Sequence, residues 1–150
     1  MSRYFEVVND NHRKTTGEIT LPKRATAKSA AYDIYSPIDV TIEPNKSYLI
    51  WTDVKVCCNE DEAFIIDVRS SMGKQPVMLA NTIGIIDSDY FSNPDNDGNI
   101  GVNLRNLGNT PYIIQAGDRI AQGMFINYLV TDDDNTRTER LGGFGSTGVK

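Results

Sequence analysis

The sequence is poor in residues that form covalent cross-links or bind transition metals. Its 150 residues include two cysteines, the neighbours Cys57 and Cys58, and a single histidine, His12. Adjacent residues of a strand point to opposite faces of a sheet, so these two thiols are badly placed to pair with one another. A tetrahedral zinc site needs four cysteine or histidine ligands at suitable spacings, which this chain does not offer. The cysteine usage excludes a disulfide framework and favours a cytoplasmic protein.

Long apolar runs and surplus positive charge are also missing. No stretch approaches the roughly 18 consecutive apolar residues of a transmembrane helix, so we expect no association with membranes. The first residues lack the apolar core of a secretory signal peptide. The chain carries 20 acidic and 15 basic residues, a formal net charge of −5. Proteins that bind nucleic acid stably present a basic face, so this balance argues against that function. It still allows a small anionic ligand held by local cations.

What the chain does contain is a series of short apolar or β-branched runs separated by turn residues. Hydrophobic residues make up 39% of the sequence, enough for the core of one domain. Many short strands joined by tight turns favour a sandwich or barrel. We therefore predict an all-β, jelly-roll-like fold. The predicted strands are Tyr4–Val8, Val40–Ile42, Tyr48–Val56, Phe64–Val68, Val77–Ala80, Gly101–Leu104, Tyr112–Gln115 and Gly123–Leu129.

The predicted organisation is a single domain with a β core, one short helix and a C-terminal flap. Ser70–Gln75 is the only segment suited to a helical turn, and Pro76 ends it. The polar stretch at residues 132–139 is typical of a linker, so we expect the β core to occupy residues 1–131. Residues 140–150 form the predicted flap.

The flap sequence, R-L-G-G-F-G-S-T-G-V-K, combines four glycines with groups suited to a nucleotide. Phe144 offers a flat face on which a base could stack. Arg140 carries a planar fork that matches phosphate oxygens. Ser146, Thr147 and the neighbouring backbone N–H groups are donors for an anion. By composition alone the segment could equally be a disordered terminus.

The segment Asn81–Tyr90, N-T-I-G-I-I-D-S-D-Y, is apolar up to Ile86 and then places Asp87 at the end of a strand or hairpin. A carboxylate in that position could orient and deprotonate a water molecule. Tyr90 follows three residues later and could pack under a sugar. Aspartate is also a common turn residue, so the alternative is a hairpin that ends in an acidic turn.

Three further segments have a possible role in binding an anion. Arg69–Gly73, R-S-S-M-G, follows a predicted strand and places two hydroxyls at a helix start, where serine is also an ordinary cap. In Gly117–Gln122, Gln122 could reach a phosphate or lie at a sheet edge. Asp33 lies in a strand-like run, and we interpret it as an acid near a metal or as a buried acceptor.

In this order and spacing, the segments closely resemble the five motifs of the homotrimeric dUTPases, from about residue 21 to 148. The resemblance implies a jelly-roll-like fold, a three-fold trimer, and active sites that take residues from all three subunits. It implies Mg²⁺-dependent hydrolysis of dUTP to dUMP and pyrophosphate, which limits uracil in DNA and supplies dUMP for dTMP synthesis.

The resemblance also implies a role for each site residue. Asp87 would activate the water that attacks the α-phosphorus. The residues that would read uracil, support the deoxyribose or stack on the base are Asn81, Gly84, Ile85, Ile86, Tyr90, Gly101 and Phe144. The residues that would hold the phosphates are Arg69, Ser70, Ser71, Gln122, Arg140, Ser146 and Thr147. Asp33 would approach Mg²⁺ through water, with the ion held mainly by the substrate phosphates.

The sequence departs from the family pattern at several points. Phe91–Asp97 makes the spacing between Tyr90 and the next glycine six residues longer than usual. Asp53 stands where glycine is usual, and Arg140 lies one residue closer to Phe144 than in many members. The insert is a possible docking site for a regulatory protein partner, or it is a surface loop. The other alternative is a relative of the dCTP deaminases, which would need a catalytic glutamate.

Overall fold

A computed structural model describes residues 2–148 and consists almost entirely of antiparallel strands, which confirms the predicted all-β fold. The described residues form eleven strands. They are β1 Tyr4–Val7, β2 Tyr32–Tyr35, β3 Val40–Ile42, β4 Ser47–Trp51, β5 Val54–Cys57, β6 Glu62–Asp67, β7 Val77–Leu79, β8 Gly84–Asp87, β9 Gly101–Asn106, β10 Tyr112–Ile114 and β11 Arg119–Asn127. None of the described helices is long and apolar enough to cross a membrane.

The strands form one four-stranded, one three-stranded and two two-stranded sheets. The four-stranded sheet has the order β2-β11-β6-β8, and the three-stranded sheet has the order β4-β9-β7. Strand β1 pairs with β5, and β10 pairs with β3. Alternate side chains from these sheets fill one core, which includes the fully buried Phe64, Ile34, Ile50 and Leu104. Strand β6 matters most for the site, because it lies between β8 and β11 and pairs with both.

The prediction of one continuous strand over Tyr48–Val56 is wrong. The strand is interrupted at Thr52 and Asp53, which separate β4 from β5. Asp53 has a φ of 56° and is completely buried. Its carboxylate accepts hydrogen bonds from the backbone N–H groups of Lys14 and Thr15 and from the Thr15 hydroxyl. Aspartate tolerates left-handed backbone better than most residues, and these partners stabilise the buried charge. The local apolar pattern gave no sign of these distant partners.

The helical elements are two short 3-10 turns, Ser70–Lys74 and Ser88–Tyr90. The first confirms the predicted helical turn and ends one residue earlier than expected. The second was not predicted, and it directly follows β8, where it turns Tyr90 into the interior. Strand β11 begins at Arg119 and ends at Asn127, so it starts and ends earlier than the predicted run Gly123–Leu129.

Candidate functional site

A cavity of about 360 Å³ lies between strand β8, the start of β9 and the C-terminal flap, and we call it the hairpin pocket. It brings together most of the residues that were expected to contact the base, the sugar and the reacting phosphate. Its lining residues are Ile66, Leu79, Asn81, Gly84, Ile85, Ile86, Asp87, Tyr90, Ile100, Gly101, Arg140, Gly143, Phe144, Gly145 and Thr147. Ser146 is the predicted flap residue that does not line it.

The wall of the pocket is the hairpin that ends in β8, and close packing fixes its position. Ile86 is buried beside Phe64 of β6, its cross-strand partner. Gly84 lies so close to Ile66 that an added Cβ would be 3.2 Å from the Ile66 Cβ. In the turn, Thr82 has a φ of 67°, and the Asn81 side-chain amide donates to the Ile83 carbonyl at 3.1 Å. The hairpin therefore presents its backbone to the pocket in one defined arrangement.

Gly101 forms the opposite wall, on β9. An added Cβ there would lie 2.9 Å from Leu49 Cδ1 and 3.1 Å from Trp51 Cζ3, so only glycine fits without a shift. Because the loop Phe91–Asp97 lengthens the connection to β9, the sequence alone left this assignment uncertain. The structure nevertheless brings Gly101 into the pocket beside the hairpin.

Asp87 lies at the end of β8, with its side chain about half exposed, and it is ion-paired. The Arg140 Nη2 donates to Asp87 Oδ2 at 2.6 Å, and the Arg140 Nε donates to Asp89 Oδ1 at 2.7 Å. The guanidinium is largely buried between the two carboxylates and lies near the face of the Tyr90 ring, 5.7 Å from its centroid. The pairing with Asp89 was not predicted, although Asp89 belongs to the same D-S-D sequence.

Tyr90 is buried, and its hydroxyl is held on two sides. It donates to the Asn99 carbonyl at 2.8 Å and accepts from the Asn96 side-chain amide at 2.8 Å. Burial raises the pKa of Tyr90 above its ordinary value, since the phenolate would lose its hydration. The hydroxyl therefore keeps its proton throughout the neutral range, and the ring forms a rigid floor.

The flap covers the hairpin pocket from outside. The Phe144 ring lies edge-on to Trp51, with 5.9 Å between the ring centroids, and remains about half exposed. Gly143 is buried, whereas Leu141, two residues earlier, is exposed. Trp51 is the only tryptophan of the chain, and sequence reasoning did not connect it with the flap. The two residues are far apart in sequence, so no local pattern could have joined them.

The remaining predicted phosphate ligands lie in a second cavity of about 620 Å³, which we call the arginine pocket. It is lined by Ala25, Ser29, Ala30, Ala31, Asp33, Arg69, Ser70, Ser71, Gln122 and Met124. Arg69 Nε donates to Asp33 Oδ1 at 2.8 Å, and Arg119 Nη1, from outside the lining, donates to Asp33 Oδ2 at 3.3 Å. Two cations around one carboxylate leave this pocket with positive charge, which suits an anion.

The hydroxyls and amide of the arginine pocket sit where two elements meet. Ser70 and Ser71 begin the 3-10 turn after β6, and the Arg69 Nη1 contacts the Ser71 hydroxyl at 3.3 Å. The Gln122 amide donates to the Val68 carbonyl at 3.2 Å, which ties β11 to the end of β6. Gln122 thus lines the cavity, and its side chain also holds two strands of the sheet together.

The two pockets lie towards opposite ends of β6. Asp87 pairs with Ala63 near the start of that strand, whereas Arg69 follows its end. At about 3.3 Å per extended residue, Asp87 and Arg69 are separated by roughly 20 Å along the strand direction. This backbone separation exceeds the length of a triphosphate group.

Within the single chain, the flap lies over the hairpin pocket of that chain. Residues 129–139 are all exposed and connect β11 to the flap. An extended segment of about 11 residues spans up to roughly 35 Å.

The described residues contain no cluster of three or more histidine, cysteine, aspartate or glutamate side chains that could hold a metal ion. Both Asp33 oxygens accept from arginines, which disfavours direct ligation. A carboxylate has about four acceptor positions, so Asp33 still fits a contact to a metal-bound water. This donor set suits an ion that arrives with phosphate ligands, as Mg²⁺ does.

Comparisons with known proteins agree with this geometry. A model of the dUTPase family matches residues 17–148. A deoxyuridine 5'-triphosphate nucleotidohydrolase of Lactococcus lactis is 40% identical over 150 residues, covering 98% of each chain. One of Shewanella amazonensis is 37% identical and covers 89% of this chain and 90% of the relative. The crystal structure of a dUTPase from Streptococcus mutans aligns with a TM-score of 0.77 at 34% identity, over 85% of this chain and 98% of that one. The chain therefore belongs to the dUTPase family.

Proposed function

We propose that this protein hydrolyses dUTP to dUMP and pyrophosphate. The observation that carries this proposal is the hairpin pocket, which joins Asp87, a base-sized space between Gly84 and Gly101, and the Phe144 ring of the flap. The names of the relatives, which describe dUTP hydrolysis for those proteins, support the same assignment.

In the proposed reaction, Asp87 orients a water molecule and accepts one of its protons. The water oxygen forms a bond to the α-phosphorus while the bond from that phosphorus to the bridging oxygen breaks, which releases pyrophosphate and leaves dUMP. The ion pair with Arg140 stabilises the ionised carboxylate of Asp87, so Asp87 becomes a better proton acceptor when Arg140 no longer contacts its Oδ2. We propose that the γ-phosphate takes over Arg140, because phosphate and guanidinium form bidentate hydrogen bonds.

Base selection follows from the backbone of the hairpin. A backbone that presents a fixed set of donors and acceptors to uracil leaves groups unpaired when cytosine enters, at about 1–3 kcal/mol for each buried group. The thymine methyl would press on the tight contact between Gly84 and Ile66, and overpacking costs about 1–3 kcal/mol. Tyr90, buried beneath the pocket, supports the deoxyribose and leaves no space for a 2′-hydroxyl.

The phosphates are the proposed ligands of Arg69, Ser70, Ser71 and Gln122. Mg²⁺ bound with the nucleotide would offset the phosphate charge and make the phosphorus more reactive, with Asp33 contacting it through water. The arginine pocket supplies fixed positive charge in a chain whose overall charge is negative. Oriented donors of this kind stabilise the charge that develops on the leaving pyrophosphate.

We further propose that the complete site forms between copies of this chain in a homotrimer. The backbone separation of roughly 20 Å between Asp87 and Arg69 along β6 supports this, since it exceeds the length of a triphosphate group. An apolar row also crosses the outer face of the four-stranded sheet: Ile85 pairs with Ile65, which pairs with Met124. Ile85 is 64% exposed and Met124 is 42% exposed. Such a row favours coverage by another copy.

The deaminase alternative receives no support from the lining of the hairpin pocket. Among the described lining residues the only carboxylate is Asp87, and glutamate is absent. The regulatory alternative rests on the loop Phe91–Asp97, but Asn93, Asn96 and Asp97 of that loop are buried in the fold, as described below.

The experiment is a nucleotide-specificity assay that measures pyrophosphate and ammonia release from dUTP, dCTP, dTTP and UTP, with Mg²⁺ and with EDTA. We expect pyrophosphate from dUTP alone and a strong loss of activity in EDTA. Ammonia release from dCTP would replace the proposal with a deaminase. The absence of turnover for all four nucleotides would refute enzymatic function and leave the binding module.

A further inference from the structure

The loop Phe91–Asp97, which lengthens the chain after Tyr90, is folded into the protein. Asn93, Asn96 and Asp97 are buried, with at most 8% of each residue exposed. Inside the loop, the Asn93 side-chain amide donates to Asn96 Oδ1 at 2.8 Å, and the backbone N–H of Gly98 donates to the same oxygen at 3.0 Å. These bonds fix the Asn96 side chain in one orientation.

The loop is anchored to the β core at its end. Asp97 accepts hydrogen bonds from the Lys55 ammonium at 3.1 Å and from the backbone N–H of Asn9 at 2.8 Å. The Lys55 ammonium also lies over the Phe91 ring, 4.8 Å from its centroid. A loop held at both ends by buried contacts is a rigid support rather than a mobile surface segment.

Two of the loop residues hold Tyr90. The Asn96 Nδ2 donates to the Tyr90 hydroxyl at 2.8 Å, and that hydroxyl donates to the Asn99 carbonyl at 2.8 Å. The Asn93 amide also donates to the Tyr90 backbone carbonyl at 2.8 Å. The loop therefore sets the position of the ring on which the proposed sugar selection depends.

The same loop receives the flap. The backbone N–H of Gly143 donates to Asp95 Oδ2 at 3.1 Å. A Cβ added to Gly143 would lie 2.6 Å from Asn96 Nδ2 and 2.7 Å from Asn96 Cγ. The flap backbone thus sits directly on the Asn96 amide, and only glycine allows that approach.

We propose that the loop Phe91–Asp97 is the seat of the C-terminal flap and that Asn96 is a positioning residue, which couples flap closure to the placement of Tyr90. This proposal rests on the proposed function for the roles of Tyr90 and Phe144. The contact itself is independent of the reaction.

The test uses a size exchange across the contact in the full-length protein. Gly143→Ala should displace the flap, because its Cβ overlaps the Asn96 amide, and kcat/KM for dUTP should fall about tenfold or more. Asn96→Ala removes the atoms that overlap. The double variant should therefore recover several-fold over Gly143→Ala alone, although Asn96→Ala by itself reduces kcat/KM. Pro94→Ala, at an exposed position of the same loop, is the matched control and should leave kcat/KM unchanged.

A second readout does not need turnover. Trp51 lies beside Phe144, so its emission without nucleotide reports whether the flap is seated. Gly143→Ala should shift the emission towards that of a protein lacking Arg140–Lys150, and the double variant should return it towards wild type. A double variant no better than Gly143→Ala in both readouts would overturn the seat. If wild type fails to hydrolyse dUTP while the emission pattern is as expected, the proposed function fails and the seat stands.

The positioning role has its own readout, the ratio of kcat/KM for dUTP to that for UTP. Asn96→Ala and Tyr90→Phe should each lower this ratio, and the double change should lower it no further than the larger single effect. Asn96→Ser, which is smaller and still polar, serves if melting curves show that Asn96→Ala unfolds. An unchanged dUTP to UTP ratio in a folded Asn96 variant would overturn the coupling.

Discussion

The hairpin pocket and the arginine pocket differ in shape, charge and completeness. The hairpin pocket, about 360 Å³, has apolar walls and a cover, and its carboxylate Asp87 shares the cation Arg140 with Asp89, which lies outside the lining. The arginine pocket, about 620 Å³, is lined by the cation Arg69, three serine hydroxyls and the Gln122 amide, and its carboxylate Asp33 pairs with Arg69 and with Arg119, which lies outside the lining. The named charges thus leave one pocket negative and the other positive.

In the proposed site, the two pockets therefore bind different parts of the nucleotide. A base and a sugar need shape and apolar contact, and a reacting water needs a carboxylate; the hairpin pocket offers both. A triphosphate needs cations and donors, which the arginine pocket offers. The proposed site needs the carboxylate and apolar walls of one pocket and the phosphate donors of the other. It therefore combines two pockets in an assembly of chains.

The largest expected effect is at the carboxylate of the hairpin pocket. Asp87→Asn should lower kcat by about 10²–10⁴-fold, the usual contribution of a general base, with little change in KM. Steady-state kinetics with dUTP provides the measurement. Asp89→Asn is the matched control, since it pairs with the same arginine without facing the reaction, and only a few-fold effect is expected. Near-normal kcat for Asp87→Asn would remove the proposed base.

The second largest loss of activity is expected when the flap is removed. Deleting Arg140–Lys150 should lower kcat/KM about 10²-fold or more, because the γ-phosphate ligand and the water-excluding cover are lost together. The melting temperature should change little, since the flap contributes few buried side chains. Phe144→Ala alone should cost about tenfold, as expected for one base–aromatic stack. A large fall in melting temperature would instead make the flap part of the core.

The two arginines that pair with Asp33 should contribute unequally to nucleotide binding. Arg69→Ala should weaken binding of a non-hydrolysable dUTP analogue about 30-fold or more, since Arg69 lines the cavity with the hydroxyls and makes the shorter contact to Asp33. Arg119→Ala should weaken binding by less than tenfold, because Arg119 does not line the cavity. Isothermal titration calorimetry gives both values. Equal losses would contradict the assignment of Arg69 as a phosphate ligand.

The smallest effect on activity is expected at an ion pair outside both pockets. Hydrogen bonds from Arg3 lower the pKa of Glu62 from 4.5 to about 2. A depressed carboxyl pKa stabilises the fold above the unfolded value and loses that contribution as pH falls from about 4.5 to 2. Arg3→Ala should therefore lower the melting temperature at pH 7 more than at pH 3, with kcat unchanged. An equal loss at both pH values would contradict this origin of the pKa shift.

The sequence predicted the parts of the two pockets better than their arrangement. Alternation of apolar residues indicated most strands, and the order of motifs predicted Asp87, Tyr90, Arg69 and Phe144 as site residues, each of which lines one of the two cavities. These signals are local, and they depend on residue type and short spacing. They do not carry the register of β6 against β8 and β11, which is what separates the pockets.

The features that sequence reasoning missed depend on distant partners. Asp53 breaks a run of apolar residues because loop residues nearly 40 positions earlier donate to it. The loop Phe91–Asp97 was interpreted as an exposed insert, whereas Asn96 is buried against Tyr90 and Gly143. Its polar composition, rich in asparagine and aspartate, is also that of a solvated loop. Only the folded chain reveals which of these polar groups are satisfied internally.

Complementation in mixed trimers tests whether one site combines pockets from different chains. Asp87→Ala and Arg69→Ala proteins are refolded together in equal amounts, mixed trimers are verified by native mass spectrometry, and dUTP turnover is measured. If the two pockets of a site come from neighbouring chains, random mixing leaves about a quarter of the sites intact, so about a quarter of wild-type activity should return. Activity no greater than the average of the two parent variants would contradict the account, because it would mean that each chain carries both pockets of its own site.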